Sequence, residues 1–197
     1  WNDMDVTFCD IEEDSLCLDP ESLILTKNTR VIIPVNCHGR LCNIDGIRKK
    51  ISEFNSEHPK EEIHPLIIED CAHAMLTPGA GKKGDIAIWS FQAVKSLPAG
   101  DGGMVTTNDD EIYKKLRTLT WLGVEKSTYE RADLKKYSWD YDIKQANGIK
   151  AYMNDLTAVI VLAQLERLEE TNAKRRAIQA VYNNELAGKS YITIPEY

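Results

Sequence analysis

Four short apolar runs with helical segments between them constrain the fold of this sequence more than any other feature. The runs are RVIIPV at residues 30–35, LIIED at 66–70, DIAIWSF at 85–91 and GGMVTT at 102–107. Each has the length and the β-branched content of a strand, and the first fits a strand that is buried on both faces. Between the first two runs, IDGIRKKISEF repeats isoleucine and phenylalanine at helical spacing. This alternation predicts an α/β fold of three layers, with a mostly parallel sheet flanked by helices.

The remaining segments complete this prediction. WNDMDVTFCDI at residues 1–11 alternates in character and predicts a further strand, and DDEIYKKLRTLTWL at 109–122 predicts a helix with acidic residues in its first turn. From Asn154 a single long helix is expected to continue as far as Gly188, which would form its C-terminal cap. One side of that helix carries the apolar residues Leu156, Val159, Ile160, Ala163 and Leu168.

Composition and charge exclude several classes of protein. The chain has 197 residues, and 31 acidic against 24 basic residues give a net charge of −7 without a basic cluster, which argues against a nucleic-acid partner. The longest apolar stretch, at residues 157–165, is shorter than the roughly 18 residues that a membrane span needs. Five cysteines without a C-x-x-C pair predict reduced thiols in a cytoplasmic protein. Neither the cysteine nor the histidine spacing indicates a zinc motif, so no metal site is predicted.

Polar side chains follow three of the predicted strands. The first strand leads to Asn36 and His38, the second ends at Asp70 with His73 close behind, and the third leads to Ser90, Gln92 and Lys95. Ligands of open α/β sheets gather beyond the carboxyl ends of the strands, so these groups are expected to face one crevice. His38 fits either a turn or a substrate channel.

An aspartate and a lysine in one crevice have three explanations. A surface salt bridge would contribute only ~0–1 kcal/mol. A phosphate-binding lysine would follow a glycine-rich loop, and the residues before Lys95, SFQAV, contain no glycine. In a pyridoxal phosphate site, the lysine forms a Schiff base and the aspartate faces the pyridinium nitrogen. A carboxylate ~4 Å away at an effective dielectric of ~20 favours the protonated ring by ~4 kcal/mol, which is about 3 pKa units.

Three segments make the third explanation specific. IIEDCAHA at 67–74, GDIAIWSFQAVKSLPAGDGG at 84–103 and GIKAYMNDLTAVIVLAQLERL at 148–168 resemble, in order and approximate spacing, the DegT/DnrJ/StrS family of sugar aminotransferases. Members of that family are pyridoxal-phosphate enzymes of fold type I that aminate keto sugars carried on nucleotides. The resemblance covers nearly the whole chain, and it extends to WLGVEKSTYER and WDYDIKQA at residues 121–131 and 139–146.

The resemblance implies a role for five residues. Lys95 matches the catalytic lysine that binds the cofactor and moves the proton between the substrate carbon and the cofactor. Asp70 matches the aspartate that pairs with the ring nitrogen, and His73 matches a His or Gln that packs against the ring. Ser90 matches a hydroxyl that holds the phosphate, and Gln92 lies where relatives often carry a histidine near the same group.

The same resemblance implies the setting of the site. Lys150 aligns with a position, commonly asparagine, that reaches the phosphate from the partner subunit, so a homodimer is expected. Residues 1–187 would form part of the cofactor-binding large domain, and residues 188–197 would begin a small C-terminal domain. Lys82, Lys83, Arg131 and Lys144 are candidates to contact the diphosphate of the substrate.

The function expected from this resemblance is transfer of an amino group from an amino acid, commonly glutamate in this family, to a nucleotide-linked keto sugar. Two alternatives stay open. A sugar dehydratase of the same family would carry histidine in place of Lys95, and a non-catalytic member or fragment would serve as an interaction module.

Overall fold

The computed structural model describes residues 3–126 and 142–194, and four strands in these ranges form one sheet. The strands are β1 (Val31–Ile32), β2 (Leu66–Asp70), β3 (Ile86–Ser90) and β4 (Gly103–Thr106), and they lie in the order β1-β2-β3-β4. The first three are parallel, and β4 runs antiparallel to β3. The predicted α/β fold with a mostly parallel sheet is confirmed.

Four helices accompany the sheet in the described ranges: α1 (Ile44–Glu57), α2 (Asp110–Thr120), α3 (Asp155–Leu165) and α4 (Leu168–Leu186). Side chains at the N-terminal caps satisfy free backbone amides of three of them. Asn43 accepts a hydrogen bond from the Gly46 amide, Asp109 accepts from two amides of α2, and Asn154 accepts from the Thr157 amide. None of the helices in the described ranges is both long and apolar enough to cross a membrane.

The apolar face of α1 packs against the start of the sheet. Ile44 and Ile47 are buried with Ile32 of β1 and Ile67 of β2 in one cluster. A second cluster joins Cys71, Ala74 and Ala80 of the following loop to Ala87 of β3. These two clusters fix the ends of β1 and β2 relative to β3, and the candidate site lies at those ends.

The first predicted strand is much shorter than expected. Only Val31 and Ile32 of the run at 30–35 pair continuously with β2, although Val35 makes an isolated bridge to Asp70. Pro34 interrupts the ladder because proline has no amide hydrogen. The strand is also not buried on both faces, since Ile33 and Val35 are exposed.

The strand predicted at residues 1–11 is absent from the part of it that the structure describes. Residues 3–10 have no regular secondary structure and are mostly exposed, with Phe8 89% accessible, and Ile11 next to them forms only an isolated bridge, to Leu18. Alternating side chains favour a strand only where a neighbouring strand accepts its backbone hydrogen bonds. The described residues supply no such neighbour, so this prediction was wrong.

The predicted single long helix is two helices with a break at Glu166 and Arg167. The Arg167 amide donates to the carbonyl of Gln164, a tighter turn than that of an α-helix. This break lets Leu168 enter a buried cluster with Phe91 and Leu97, where it is only 2% exposed. The predicted end is confirmed, because α4 stops at Leu186 and Gly188 follows with a φ of +75°.

Candidate cofactor site

The carboxyl ends of the three parallel strands bring the predicted polar residues to one edge of the sheet. Asn36 and His38 follow β1, Asp70 ends β2, and Ser90 ends β3. The backbone amide of Asn36 donates a hydrogen bond to the backbone carbonyl of Asp70 at 2.9 Å, which joins the first two strand ends directly. The predicted polar residues therefore gather at one edge of the sheet.

Strand register places Asp70 and Ser90 on the same face of the sheet. Asp70 lies opposite Ile88 of β3, and Ser90 is two positions farther along the same strand. Because side chains alternate between faces, Ile88 and Ser90 share the face of Asp70, with Ser90 about 7 Å beyond it along the strand. One carboxylate and one hydroxyl thus project from adjacent strands to the same side.

One oxygen of the Asp70 carboxylate accepts a hydrogen bond within its own turn. Its Oδ1 accepts a hydrogen bond from the Ala72 amide at 2.9 Å, which fixes the chain as it leaves β2. The structure gives Oδ2 no hydrogen bond to any residue of the described ranges. Asp70 therefore caps a turn, as an aspartate at a strand end often does, and still offers one oxygen to a ligand.

His73 lies close to the charged groups of the site. Partial desolvation of this largely exposed ring and the nearby positive charges of Lys95 and His38 lower the pKa of His73, and the Asp70 carboxylate acts in the opposite direction. Its ring stacks with that of His38, with centroids 5.5 Å apart and planes at 19°. Because Asp70 and Lys95 both act on this one imidazole, the structure brings the three predicted residues together.

A short, well-ordered turn carries Lys95. The Lys95 amide donates to the Gln92 carbonyl at 2.9 Å, and the Gln92 amide donates to the Ser90 hydroxyl at 3.3 Å. Lys95 is partly buried, and its Nζ has no hydrogen bond or ion pair within the described residues. The turn thus carries an amine that is unpaired within the described residues.

The Gln92 side chain forms a hydrogen bond within its own loop. Its Oε1 accepts a hydrogen bond from the Val94 amide at 3.2 Å, and the side chain is otherwise exposed. This contact supports the turn that carries Lys95. The structure therefore shows a local contact for Gln92, and contact of Gln92 with a phosphate stays a prediction.

Sequence reasoning overlooked Glu69, the residue before Asp70. Glu69 is 2% exposed, and its carboxylate accepts hydrogen bonds from the amides of Gly81, Lys83 and Gly84 at 2.6–2.9 Å. The Asn36 side chain donates to it as well, at 3.2 Å. Burial acts to raise the pKa of Glu69, but these four donors hold it below its usual value. The signal was present, since period-two alternation puts Glu69 on the buried face of Ile67.

The basic residues predicted to contact the diphosphate differ in whether they already have an anionic partner. Lys83 pairs with Asp45 and Lys144 pairs with Asp142, so both already have anionic partners. Lys82 is exposed, and Arg131 lies outside the described residues. Lys150 is exposed, with its Nζ 5.5 Å from the centroid of the Tyr152 ring.

Comparison with a family model and with curated proteins identifies relatives of this chain. The sequence matches the DegT/DnrJ/EryC1/StrS aminotransferase family over residues 1–197. It is 35% identical over 181 residues to the spore coat polysaccharide biosynthesis protein SpsC of Bacillus subtilis, covering 89% of this chain and 44% of SpsC. The chain thus spans about half the length of the curated relatives it matches.

Solved structures resemble the fold closely. The sugar aminotransferase CalS13 from Micromonospora echinospora superposes with a TM-score of 0.82 at 29% identity, over 96% of this chain and 50% of CalS13. The PLP-form of Spr1654 from Streptococcus pneumoniae gives 0.74 at 28% identity, over 92% and 48%. DesI, solved in the presence of its TDP-sugar product, gives 0.73 at 28% identity, over 96% and 44%.

Proposed function

The chain belongs to the DegT/DnrJ/EryC1/StrS aminotransferase family, and on this premise we propose that the whole protein moves an amino group from an amino acid to a nucleotide-linked keto sugar. Glutamate is the proposed donor and pyridoxal phosphate the proposed cofactor. The observation that carries the proposal is the strand register, which puts the Asp70 carboxylate and the Ser90 hydroxyl on one face of the sheet, with Lys95 in the turn that follows Ser90.

The residues at the sheet edge fit pyridoxal phosphate. Asp70 has one carboxylate oxygen without a partner in the described ranges, which suits a protonated ring nitrogen. The Lys95 amine is likewise unpaired there, and the Ser90 hydroxyl shares the sheet face of Asp70. When bound, the cofactor supplies an electron sink for the substrate carbon.

Each residue has a distinct part in the proposed reaction. The Nζ of Lys95 would hold the cofactor and would remove and return a proton at the substrate carbon. The Asp70 carboxylate would hold the ring nitrogen in its protonated form. His73 would pack against the ring, and the neighbouring cations that lower its pKa favour a neutral imidazole there.

Two relatives support the class of acceptor. DesI was solved with a TDP-sugar product, and SpsC is described as a polysaccharide biosynthesis protein. We assign this protein the same class of substrate, a keto sugar carried on a nucleotide. Of the four basic residues proposed to contact the diphosphate, Lys83 and Lys144 form ion pairs and Arg131 lies outside the described residues. Lys82 is exposed and forms no ion pair within the described residues.

We further propose a cytoplasmic homodimer. The five cysteines are free, as expected in a reducing compartment. The α3 helix exposes Leu156, Val159 and Leu162, the kind of apolar face that an interface covers. Lys150 would reach the phosphate of the partner subunit. Residues 1–187 would belong to the cofactor-binding large domain, and 188–197 would begin the small C-terminal domain.

A transfer assay tests the proposal and separates it from the alternatives. The full-length protein is given ¹⁵N-labelled glutamate and a panel of nucleotide-linked keto sugars, and labelled amino sugar is measured by mass spectrometry. We expect label in one product with the wild type and a loss of at least 10³-fold in Lys95→Ala. A Lys95→Ala variant with undiminished transfer, or no transfer by the wild type to any sugar, refutes the proposal; loss of a sugar hydroxyl without label would identify a dehydratase.

A further inference from the structure

The side chains of Cys37, His38 and His73 converge at the sheet edge. One ligand-type atom from each, the Cys37 Sγ and an imidazole nitrogen from each histidine, lies within 4.8 Å of the other two. We propose that these three side chains form a binding site for a divalent transition-metal ion of the zinc type. This proposal goes beyond the proposed aminotransferase function and does not depend on it.

Backbone conformation explains how two consecutive residues can share a site. In an extended chain, the side chains of Cys37 and His38 would point in opposite directions. His38 instead has a φ of +51° and a ψ of +30°, a left-handed conformation that is uncommon for residues other than glycine. This twist places the His38 ring beside the thiol. A sparsely populated conformation retained at a cluster of ligand-type side chains is typical of a functional site.

The third ligand comes from a different strand end. Cys37 and His38 follow β1, whereas His73 follows β2, and the two segments are held together at their bases. The Asn36 side chain donates hydrogen bonds to both Glu69 and the Cys71 Sγ, at 3.2 and 3.3 Å. The cluster therefore lies next to a buried polar network. Its three ligand residues come from two distant parts of the sequence, which explains why local spacing along the chain did not reveal the cluster.

The distances and donor types suit a tetrahedral zinc-type ion. Zn–S and Zn–N bonds of about 2.3 and 2.0–2.1 Å place ligand atoms about 3.4–3.6 Å apart. The separations here are at most 4.8 Å, so shifts of about 1 Å would complete the site. His38 and His73 are exposed and Cys37 is half-buried, which leaves room for such shifts. Thiolate and imidazole ligands favour zinc-type ions, and three of them leave a fourth position for water.

Two charged groups act on the cluster. The Lys95 amine opposes a cation, and the Asp70 carboxylate favours one. The metal would share His73 with the proposed cofactor, so the test uses protein free of pyridoxal phosphate.

The experiment titrates the full-length, cofactor-free, reduced protein with Co²⁺, which substitutes for Zn²⁺ and absorbs in the near ultraviolet when bound to a thiolate. Zn²⁺ is then added to displace it. The variants are Cys37→Ser and His38→Asn, the second because asparagine tolerates the left-handed backbone. Cys9→Ser, which removes a thiol outside the cluster, is the matched control. Thermal unfolding identifies any variant that does not fold.

The wild type and Cys9→Ser are expected to bind one Co²⁺ with thiolate absorption that Zn²⁺ abolishes. Cys37→Ser should lose that absorption, and His38→Asn should bind Co²⁺ at least tenfold more weakly. Absence of thiolate absorption in the wild type would overturn the proposal. So would absorption that persists in Cys37→Ser or that disappears in Cys9→Ser. If Cys37→Ser does not fold, an unchanged affinity of His38→Asn would overturn it alone.

Discussion

Asp70 and Lys95 act with opposite sign on the pKa of a single side chain, the imidazole of His73. Asp70 ends β2, and Lys95 lies in the turn after β3, so each belongs to a different strand of the parallel pair. Neither charge is neutralised by an ion pair within the described ranges. An acid and an amine held near one imidazole at a sheet edge form the arrangement on which the proposed cofactor site depends.

Titration of His73 reports this arrangement without any cofactor. Lys95→Ala removes a positive charge and should raise the pKa of His73, whereas Asp70→Asn removes a negative charge and should lower it. The measurement is the NMR titration of the histidine ring protons across the four histidines. Lys115→Ala, which removes an exposed cation from α2, is the control and should leave His73 unchanged. A His73 titration insensitive to Lys95 would place the two groups apart.

Glu69 is expected to hold the loop after β2 in place. Glu69→Gln replaces an acceptor of three backbone amides with a group that can accept through one oxygen only, and it should lower the free energy of unfolding by about 2 kcal/mol. For a chain of this size, the midpoint of thermal unfolding should fall by about 4–8 °C. Glu57→Gln, at an exposed glutamate at the end of α1, is the control, and an equal effect of both substitutions would contradict this role.

The same carboxylate predicts a pH dependence. The pKa of Glu69 is lower in the folded protein than its usual 4.5, so the folded state binds fewer protons than the unfolded state. Its stabilisation is therefore complete above pH 4.5 and is lost as the pH falls through the lower folded value. The difference in unfolding free energy between wild type and Glu69→Gln should shrink below pH 4.5. A difference that stays constant or grows in acid would assign the effect to packing.

Much of this arrangement was predictable from residue type and spacing. The strand ends at Asp70 and Ser90 followed from apolar runs of strand length, and the parallel order of the sheet put them at one edge. Glu69 was overlooked, although its position alternates with that of buried Ile67. Its partners are backbone amides of residues 81–84, and loop conformation has no simple sequence pattern.

Two of the errors in the secondary structure have a common cause. Residues 1–11 and the run from Asn154 to Gly188 show the expected local periodicities, but tertiary contacts decide whether such segments stay regular. No described strand pairs with residues 3–10, and burial of Leu168 interrupts the long helix. The cluster of Cys37, His38 and His73 was likewise invisible to spacing arguments, because its ligands come from two strand ends.

Leu168 is expected to position the turn that carries Lys95. It packs with Phe91 and Leu97 on either side of that turn in sequence, so Leu168→Ala should destabilise the protein by about 2–4 kcal/mol. It should also weaken cofactor binding, measured by the visible absorption of bound pyridoxal phosphate. The control is Leu165→Ala. It changes an exposed leucine two residues before Arg167, the N-terminal cap residue of α4. Equal loss in both variants would contradict a specific role for Leu168.

The exposed face of α3 predicts the oligomeric state. Leu156 is 82% exposed and lies beside Val159 and Leu162 on a helix with no buried residue. Leu156→Glu in the full-length protein should convert the proposed dimer to a monomer in sedimentation velocity. Asn184→Glu introduces the same charge on exposed α4 and should leave the dimer intact. A folded Leu156→Glu variant that sediments as the wild type does would exclude this face from the interface.

Covalent trapping at Lys95 tests the central claim most directly. The full-length protein is incubated with pyridoxal phosphate, reduced with borohydride, digested and analysed by peptide mass spectrometry. We expect one dominant pyridoxyl adduct, on the Lys95 Nζ, that is absent in Lys95→Ala and much diminished in Asp70→Asn. An adduct spread over exposed lysines such as Lys82, or a dominant adduct at any lysine other than Lys95, would contradict it.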